Sequence, residues 1–161
     1  MWVYKKNHGG VANASYPELS AYLDLYINFK LKVIDAKSMG LDTDTAYKAE
    51  INGYENALKA QKKASPKNSE YTYIMNEYRE GVLMFNVSER KIWSKAWDNE
   101  GKLREFYNTN ASKYDNKGFD EVRGQVIADY QQNLENEWIK LLKTKYTVKI
   151  NDDELRKLAK L

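Results

Sequence analysis

The 161-residue sequence contains no cysteine, one histidine and two prolines. Zero cysteine excludes a disulfide framework, a thiolate zinc site and a cysteine nucleophile. It leaves the redox compartment open, because a chain with nothing to oxidise tolerates either environment. The one imidazole, His8, excludes a His-rich metal site and argues against nucleophile–histidine catalysis. It sits in a Gly- and Lys-containing stretch without periodic context and reads as an exposed, uninvolved side chain. No apolar run approaches the roughly 18 residues a membrane helix requires, and no signal peptide is read at Met1. An excess of one charge is also lacking: 26 Lys+Arg stand against 23 Asp+Glu, interspersed, which does not describe a nucleic-acid surface. The eight glycines are scattered, and Gly9-Gly10 lacks the pattern of a phosphate-binding loop. No catalytic residue, metal or cofactor is expected.

What is present is apolar and aromatic. At 42% hydrophobic the chain can build a core, and its length suits one domain over 1–161, burying roughly 68–70% of its unfolded surface. Thirteen Tyr, four Trp and four Phe stand out in a chain that is 30% charged.

Ser15-Tyr16-Pro17-Glu18 reads as a helix start: Ser15 caps, Glu18 lies three residues on, and Pro17 fits the first turn. The helix is expected to run to Gly40, a natural left-handed stop. Ser20, Asp24, Asn28, Lys32 and Asp35 form one narrow polar stripe, and apolar residues from Leu19 to Ile34 cover the rest. A helix apolar on most sides is packed on most sides, so it is taken as the central helix. Asp42 and Asp44 start a second helix, about 44–61, carrying Tyr47, Ile51, Tyr54 and Leu58; the short connection implies antiparallel neighbours. Residues 62–69 lose periodicity around a proline and read as a linker.

From Glu70 a seam of Tyr71, Met75, Tyr78, Val82, Phe85, Glu89, Ile92 and Ala96 keeps phase, which favours one long helix over two broken near Ser88. Glu89 is its sole polar member, and a paired or edge-exposed carboxylate accounts for it before a functional one does. Turns are read at 99–101 and 115–118, with a short helix between them bearing Leu103, Phe106 and Tyr107. Val122, Val126, Tyr130, Leu134, Trp138 and Leu141 mark another long helix. Residues 146–150 alternate and are β-branched, giving the one plausible strand, with Trp2-Val3-Tyr4 as the best available partner. Asn151 to Glu154 cap a last helix. The expected fold is mainly α, about five to six helices, with one or two short β-strands near the termini.

The acid pairs Asp42/Asp44 and Asp152/Asp153 sit at helix starts, where capping and the dipole explain them. Three Asn-x-Ser triplets, at Asn13, Asn86 and Asn110, are discounted as glycosylation sites because such triplets arise by chance and one lies within a helix. The aromatics Tyr22, Tyr26, Phe29, Tyr78, Phe85, Trp93 and Trp97 fit either a core or a semi-exposed groove that accepts varied peptides.

Tyr4-Lys5-Lys6-Asn7 followed by Leu23-Asp24-Leu25-Tyr26-Ile27-Asn28-Phe29-Lys30-Leu31-Lys32-Val33 resembles the N-terminal helical module of SurA-like periplasmic chaperones with parvulin-type peptidyl-prolyl isomerase domains, in their Bacteroides-type versions. Glu77-Tyr78-Arg79-Glu80-Gly81-Val82-Leu83-Met84-Phe85 with Trp93-Ser94-Lys95-Ala96 is similar to its continuation. Phe119-Asp120-Glu121-Val122-Arg123-Gly124, Asp129-Tyr130-Gln131 and Glu137-Trp138 are similar to its C-terminal helix. In that family the isomerase domains are inserted between the helical pieces. Here the linkers at 62–69 and 115–118 stand in their place, and no position matches an isomerase catalytic residue.

The resemblance therefore implies a chaperone core alone, periplasmic and non-catalytic. Its expected partners are unfolded outer-membrane-protein segments or other extended, aromatic-rich polypeptides, without nucleic acid or membrane insertion. The alternatives are a scaffold fragment of an isomerase and a dimerisation module in which the aromatic seams meet a second copy.

Overall fold

The structure is a computed structural model that describes residues 3–4, 14–60 and 69–159. It is mainly helical. Helix α1 (Tyr16–Ser38) begins with a reciprocal capping box: the Ser15 hydroxyl accepts from the Glu18 backbone N–H, and the Glu18 carboxylate accepts from that of Ser15 at 2.8 Å. Past its end Gly40 takes φ +73°, a conformation that carries no steric cost only without a Cβ, and a 3₁₀ turn (Leu41–Thr43) follows.

Helix α2 (Thr45–Ala60) is capped by Asp44, whose carboxylate accepts from the Ala46 N–H at 2.8 Å. The corner at Gly40 directs α2 onto α3 (Ser69–Ser88) rather than flat along α1, so the expectation of an adjacent α1–α2 hairpin is corrected. Space is left between the two. The linker expected at 62–69 lies outside the described residues apart from Ser69, which opens α3.

The backbone stays helical from α3 through a π turn (Glu89–Trp93) into α4 (Ser94–Asp98), with Ser88 and Ser94 both in right-handed helical conformation. The Ser94 N–H donates to the carbonyl of Glu89, the wider spacing that defines the turn. One continuous helical path is therefore present, and five members of the expected seam, Tyr71, Met75, Val82, Ile92 and Ala96, are buried on it, but the seam does not hold throughout. The buried line runs Met75, Leu83, Val87, Ile92, Ala96, and its step from 87 to 92 spans five residues across the π turn. Phe85 and Glu89, read as seam members, are exposed.

Asn99 alone interrupts the chain before α5 (Glu100–Asn110), accepting from the Lys102 N–H at 3.0 Å; Gly101 is helical, not part of a turn. A 3₁₀ turn (Ala111–Tyr114) and the left-handed pair Asp115 and Asn116 lead into α6 (Phe119–Lys145). Asp and Asn accept that conformation more readily than other residues with a Cβ. On α6 the apolar line ends at Leu142, buried, while Leu141 is 68% exposed. A step of four carries on from Trp138, and the expected step of three does not.

Residues 146–150 form no strand. Val3 and Tyr4 are helical and offer no ladder, and no strand is present among the described residues. Without a partner an extended segment keeps its polar backbone in water, and Val148 and Ile150 are exposed. The expected short strands are thus not found. Helix α7 (Asp152–Leu158), capped by Asn151, instead returns to α1, where Leu155 and Leu158 pack with Tyr4, Leu19 and Tyr22.

Two cores result. The larger joins α1, α2, α3 and the C-terminal half of α6; the smaller joins α4, α5 and the N-terminal half of α6. In the smaller core Tyr114 is buried and donates to Asp129 at 3.0 Å, and its burial pushes the phenol up to about 12. α1 packs against α3, α6 and α7, as a central helix should. Its polar stripe is not a solvent face throughout: Lys32 and Asp35 are buried beneath α6. Lys32 pairs with Glu135, and Asp35 accepts from Lys91 at 2.6 Å and from the Trp138 indole at 2.9 Å. Burial alone would push Asp35 up, but the hydrogen bonds from Lys91 and Trp138, with the charges of Lys91 and Lys145, hold it below the usual value. None of the described helices is long and apolar enough to cross a membrane.

Candidate functional site

The space between α1 and α2, floored by α3, is a groove of ≈ 1520 Å³. Tyr22, Tyr26 and Phe29 line its α1 wall, at helical spacings that put them on one face. Tyr26 and Phe29 stack at 6.3 Å, and Tyr22 takes Tyr4 edge-on at 5.1 Å. Tyr73 faces them from α3 and is 49% exposed, and Leu25 on the rim is 68% exposed. Gly81 opens the floor: a Cβ there would meet nothing within 4 Å. Leu155 and Leu158 of α7 close one end.

Polar groups punctuate this apolar lining. Lys30 bridges α1 to α3 through Glu80 at 2.5 Å and lies 5.7 Å from the Tyr26 ring. Lys48, Asp42, Glu77 and Arg79 complete a rim of both signs. Such a surface offers flat aromatic faces to side chains and hydrogen-bonding groups to backbone.

The seven aromatics expected to bind peptide fall into three places. Tyr22, Tyr26 and Phe29 share the groove. Tyr78 turns instead to α2, stacked on Tyr54 at 3.6 Å with planes 5° apart, and donates to Glu50 at 3.2 Å. Burial first, then the Glu50 charge, raises its phenol above the ordinary value. Phe85, Trp93 and Trp97 form a separate patch at the π turn: Phe85 meets Trp93 edge-on at 5.0 Å, and Trp93 and Trp97 wall a smaller cavity of ≈ 520 Å³.

Tyr73 and Leu25 were missed by the sequence reading. The available signal was a large apolar side chain off the core seam of its helix: Tyr73 lies between Tyr71 and Met75, both buried.

The acid pairs resolve into local roles. Asp44 caps α2, and Asp152 accepts from the Tyr16 hydroxyl and from Arg156. The Tyr16 hydrogen bond, then that of Arg156, hold Asp152 below the usual carboxylate range. Asn110 donates to the Phe106 carbonyl, and Asn86 lies within α3. His8 and Asn13 lie outside the described residues. Among the described residues no three His, Cys, Asp or Glu side chains are grouped to hold a metal ion. No protein-family model, curated protein or solved structure matches the chain.

Proposed function

We propose that this chain is a non-catalytic helical module that holds extended, unfolded polypeptide segments, in the manner of a SurA-like periplasmic chaperone core. The clients that suit it are aromatic-rich segments such as those of unfolded outer-membrane proteins, and the compartment that goes with this reading is the periplasm. The observation that carries it is the α1–α3 groove, with Tyr22, Tyr26 and Phe29 facing Tyr73 across a volume of ≈ 1520 Å³. That is larger than the roughly 300–1,000 Å³ of an ordinary small-molecule pocket.

Magnitudes favour weak, promiscuous capture. Each aromatic contact contributes about 0.5–1.5 kcal/mol beyond its area burial, and ordering an extended chain costs much of the total. Net affinities of about 10–500 µM follow. The rim groups Lys30, Glu80 and Arg79 offer hydrogen bonds to the backbone of whatever lies there, without reading its sequence.

Fluorescence titration with aromatic-rich peptides tests the reading. Saturable binding in that range, lost on Tyr26→Ser together with Phe29→Ala, is expected. No binding at high micromolar concentration, or binding unchanged in the double variant, overturns it. Light scattering on the same samples separates a peptide binder from a chain whose groove is filled by a second copy. A proline-isomerisation assay is expected to return the uncatalysed rate.

A further inference from the structure

The π turn creates a second, smaller site whose chemistry differs from that of the groove. Its five-residue step keeps Val87 and Ile92 on the buried line. Glu89, Trp93 and Trp97 then fall at intervals of four beside that line, where they line a cavity of ≈ 520 Å³. The other wall is α6, contributing Gly124, Ile127 and Ala128. Gly124 leaves the space open, since a Cβ there would meet nothing within 4 Å. Trp97 is 58% exposed and Phe85, edge-on to Trp93, 55% exposed.

We propose that this cavity binds the cationic end of a lysine or arginine side chain on a polypeptide. Three observations select that occupant. First, the Glu89 carboxylate accepts only from the Ser94 hydroxyl, at 3.2 Å, and makes no ion pair among the described residues. Its basic neighbours are committed elsewhere, Arg90 to Asp44 and Lys91 to Asp35. Second, indole is the ring that attracts a cation most strongly, and two indoles line the same cavity as this carboxylate. Trp97 already holds one cation, the Arg123 guanidinium at 5.9 Å, whose charge is balanced by Glu100 at 3.0 Å. Third, the alternatives fail on charge. An anion meets Glu89, an apolar side chain would desolvate that carboxylate without a partner, and one carboxylate does not make a metal site.

The slender apolar stem of Lys or Arg matches the Gly124–Ala128 wall, with the charged head at Glu89. Only the statement that the occupant belongs to a polypeptide rests on the peptide-binding reading. The site itself stands on its own residues.

The test uses the full chain and small amides, so that it does not depend on the groove. N-acetyl-arginine amide and N-acetyl-lysine amide are titrated while the indole N–H signals of Trp93 and Trp97 are followed by NMR, with neutral N-acetyl-norleucine amide as control. Saturable shifts in the millimolar range are expected for the two cations and none for norleucine. Glu89→Gln, an isosteric and exposed change, is expected to weaken binding about five- to tenfold. High salt should weaken it in the same direction. Equal response to norleucine, binding unchanged in Glu89→Gln, or no saturation below about 50 mM overturns the proposal. The Tyr26→Ser groove variant should bind the amides as the parent does. Failure of the parent chain to capture peptide while amide binding is intact therefore counts against the groove reading alone.

Discussion

Trp138 donates its indole N–H to Asp35 at 2.9 Å, tying α6 to α1 across 103 positions of sequence. The indole is flanked by two cations, Lys32 at 5.5 Å and Lys91 at 5.4 Å from its ring centre. Lys91 also reaches the same carboxylate oxygen that the indole uses. α1, the π turn and α6 thus meet at one charged, mostly buried junction. It fixes their register more specifically than apolar packing would, because a slip in any of them strands a charge.

Asp35→Ala should therefore be among the most damaging single changes in the chain. It removes the acceptor from Lys91 and Trp138 together, though Lys91 is partly exposed and can regain water. A loss of about 2–3 kcal/mol is expected, below the full value for a wholly buried pair. Trp138→Phe keeps most of the ring and removes the donor, for an expected loss of about 1–2 kcal/mol. Urea denaturation of the two single variants and the double variant measures the coupling; additive losses would show that the junction is not a unit.

The same junction sets an acid limit. Asp35 titrates below its unfolded value in the native state, so the folded chain binds the proton less readily than the unfolded one. The stability it contributes is fully present above the ordinary aspartate range of about 4 and is lost as pH falls through the lower, folded value. Stability measured from neutral pH downward should decline more steeply in the parent than in Asp35→Asn, which cannot titrate. Parallel acid limbs in the two proteins would remove Asp35 as the cause.

Local features of this fold were legible in the sequence, and so was the central place of α1, but most of the tertiary ones were not. Ser15, Pro17 and Glu18 make a cap from neighbours three residues apart, so the start of α1 can be read without knowing what α1 touches. The groove face of Tyr22, Tyr26 and Phe29 follows from helical spacing in the same way. Gly40 was legible as the left-handed stop of α1, but the direction in which it sends α2 was not, and Tyr78 became a stacking partner of Tyr54 only through that path. The buried line through α3 was misread at Phe85 and Glu89 for a similar reason. A π turn is retained by the packing of Ile92 and Ala96, not by any local propensity. Residues 146–150 have strand composition, yet a strand exists only where another backbone can pair with it.

That division lets binding and stability be separated experimentally. Tyr26→Ala and Phe29→Ala remove half-exposed groove walls, so each is expected to weaken peptide binding several-fold at a stability loss of about 1 kcal/mol or less. Tyr78→Ala removes a ring stacked at 3.6 Å and a hydrogen bond to Glu50, at an expected loss of about 2–3 kcal/mol with peptide affinity unchanged. Thermal unfolding and the fluorescence titration, run on all three variants, check both columns of that expectation. A fall in affinity for Tyr78→Ala while it stays folded would move the peptide from the groove to the α2–α3 face.

The π turn offers the most direct test of the buried line. If its five-residue step is one residue inserted into an otherwise regular helix, deleting the exposed Arg90 converts that step to four and keeps Leu83, Val87, Ile92 and Ala96 facing inward. What is lost is the exposed contact between Arg90 and Asp44 at 3.6 Å, a pair of the kind worth about 0–1 kcal/mol. The deletion variant should unfold cooperatively, with the helix content of the parent by circular dichroism. Deleting the equally exposed Gln125 is the contrasting case. α6 is regular there and bridges both cores, so the change turns one half against the other by about 100° and should abolish cooperative unfolding. Equal damage from the two deletions would mean that the π turn holds these helices in place in its own right, and is not an insertion the core tolerates. In the Arg90 deletion the spacing from Glu89 to the two indoles also shortens by one residue. Amide binding at that cavity should persist with the fold, because spacings of three and seven in a regular helix keep the carboxylate on the same face as Trp93 and Trp97.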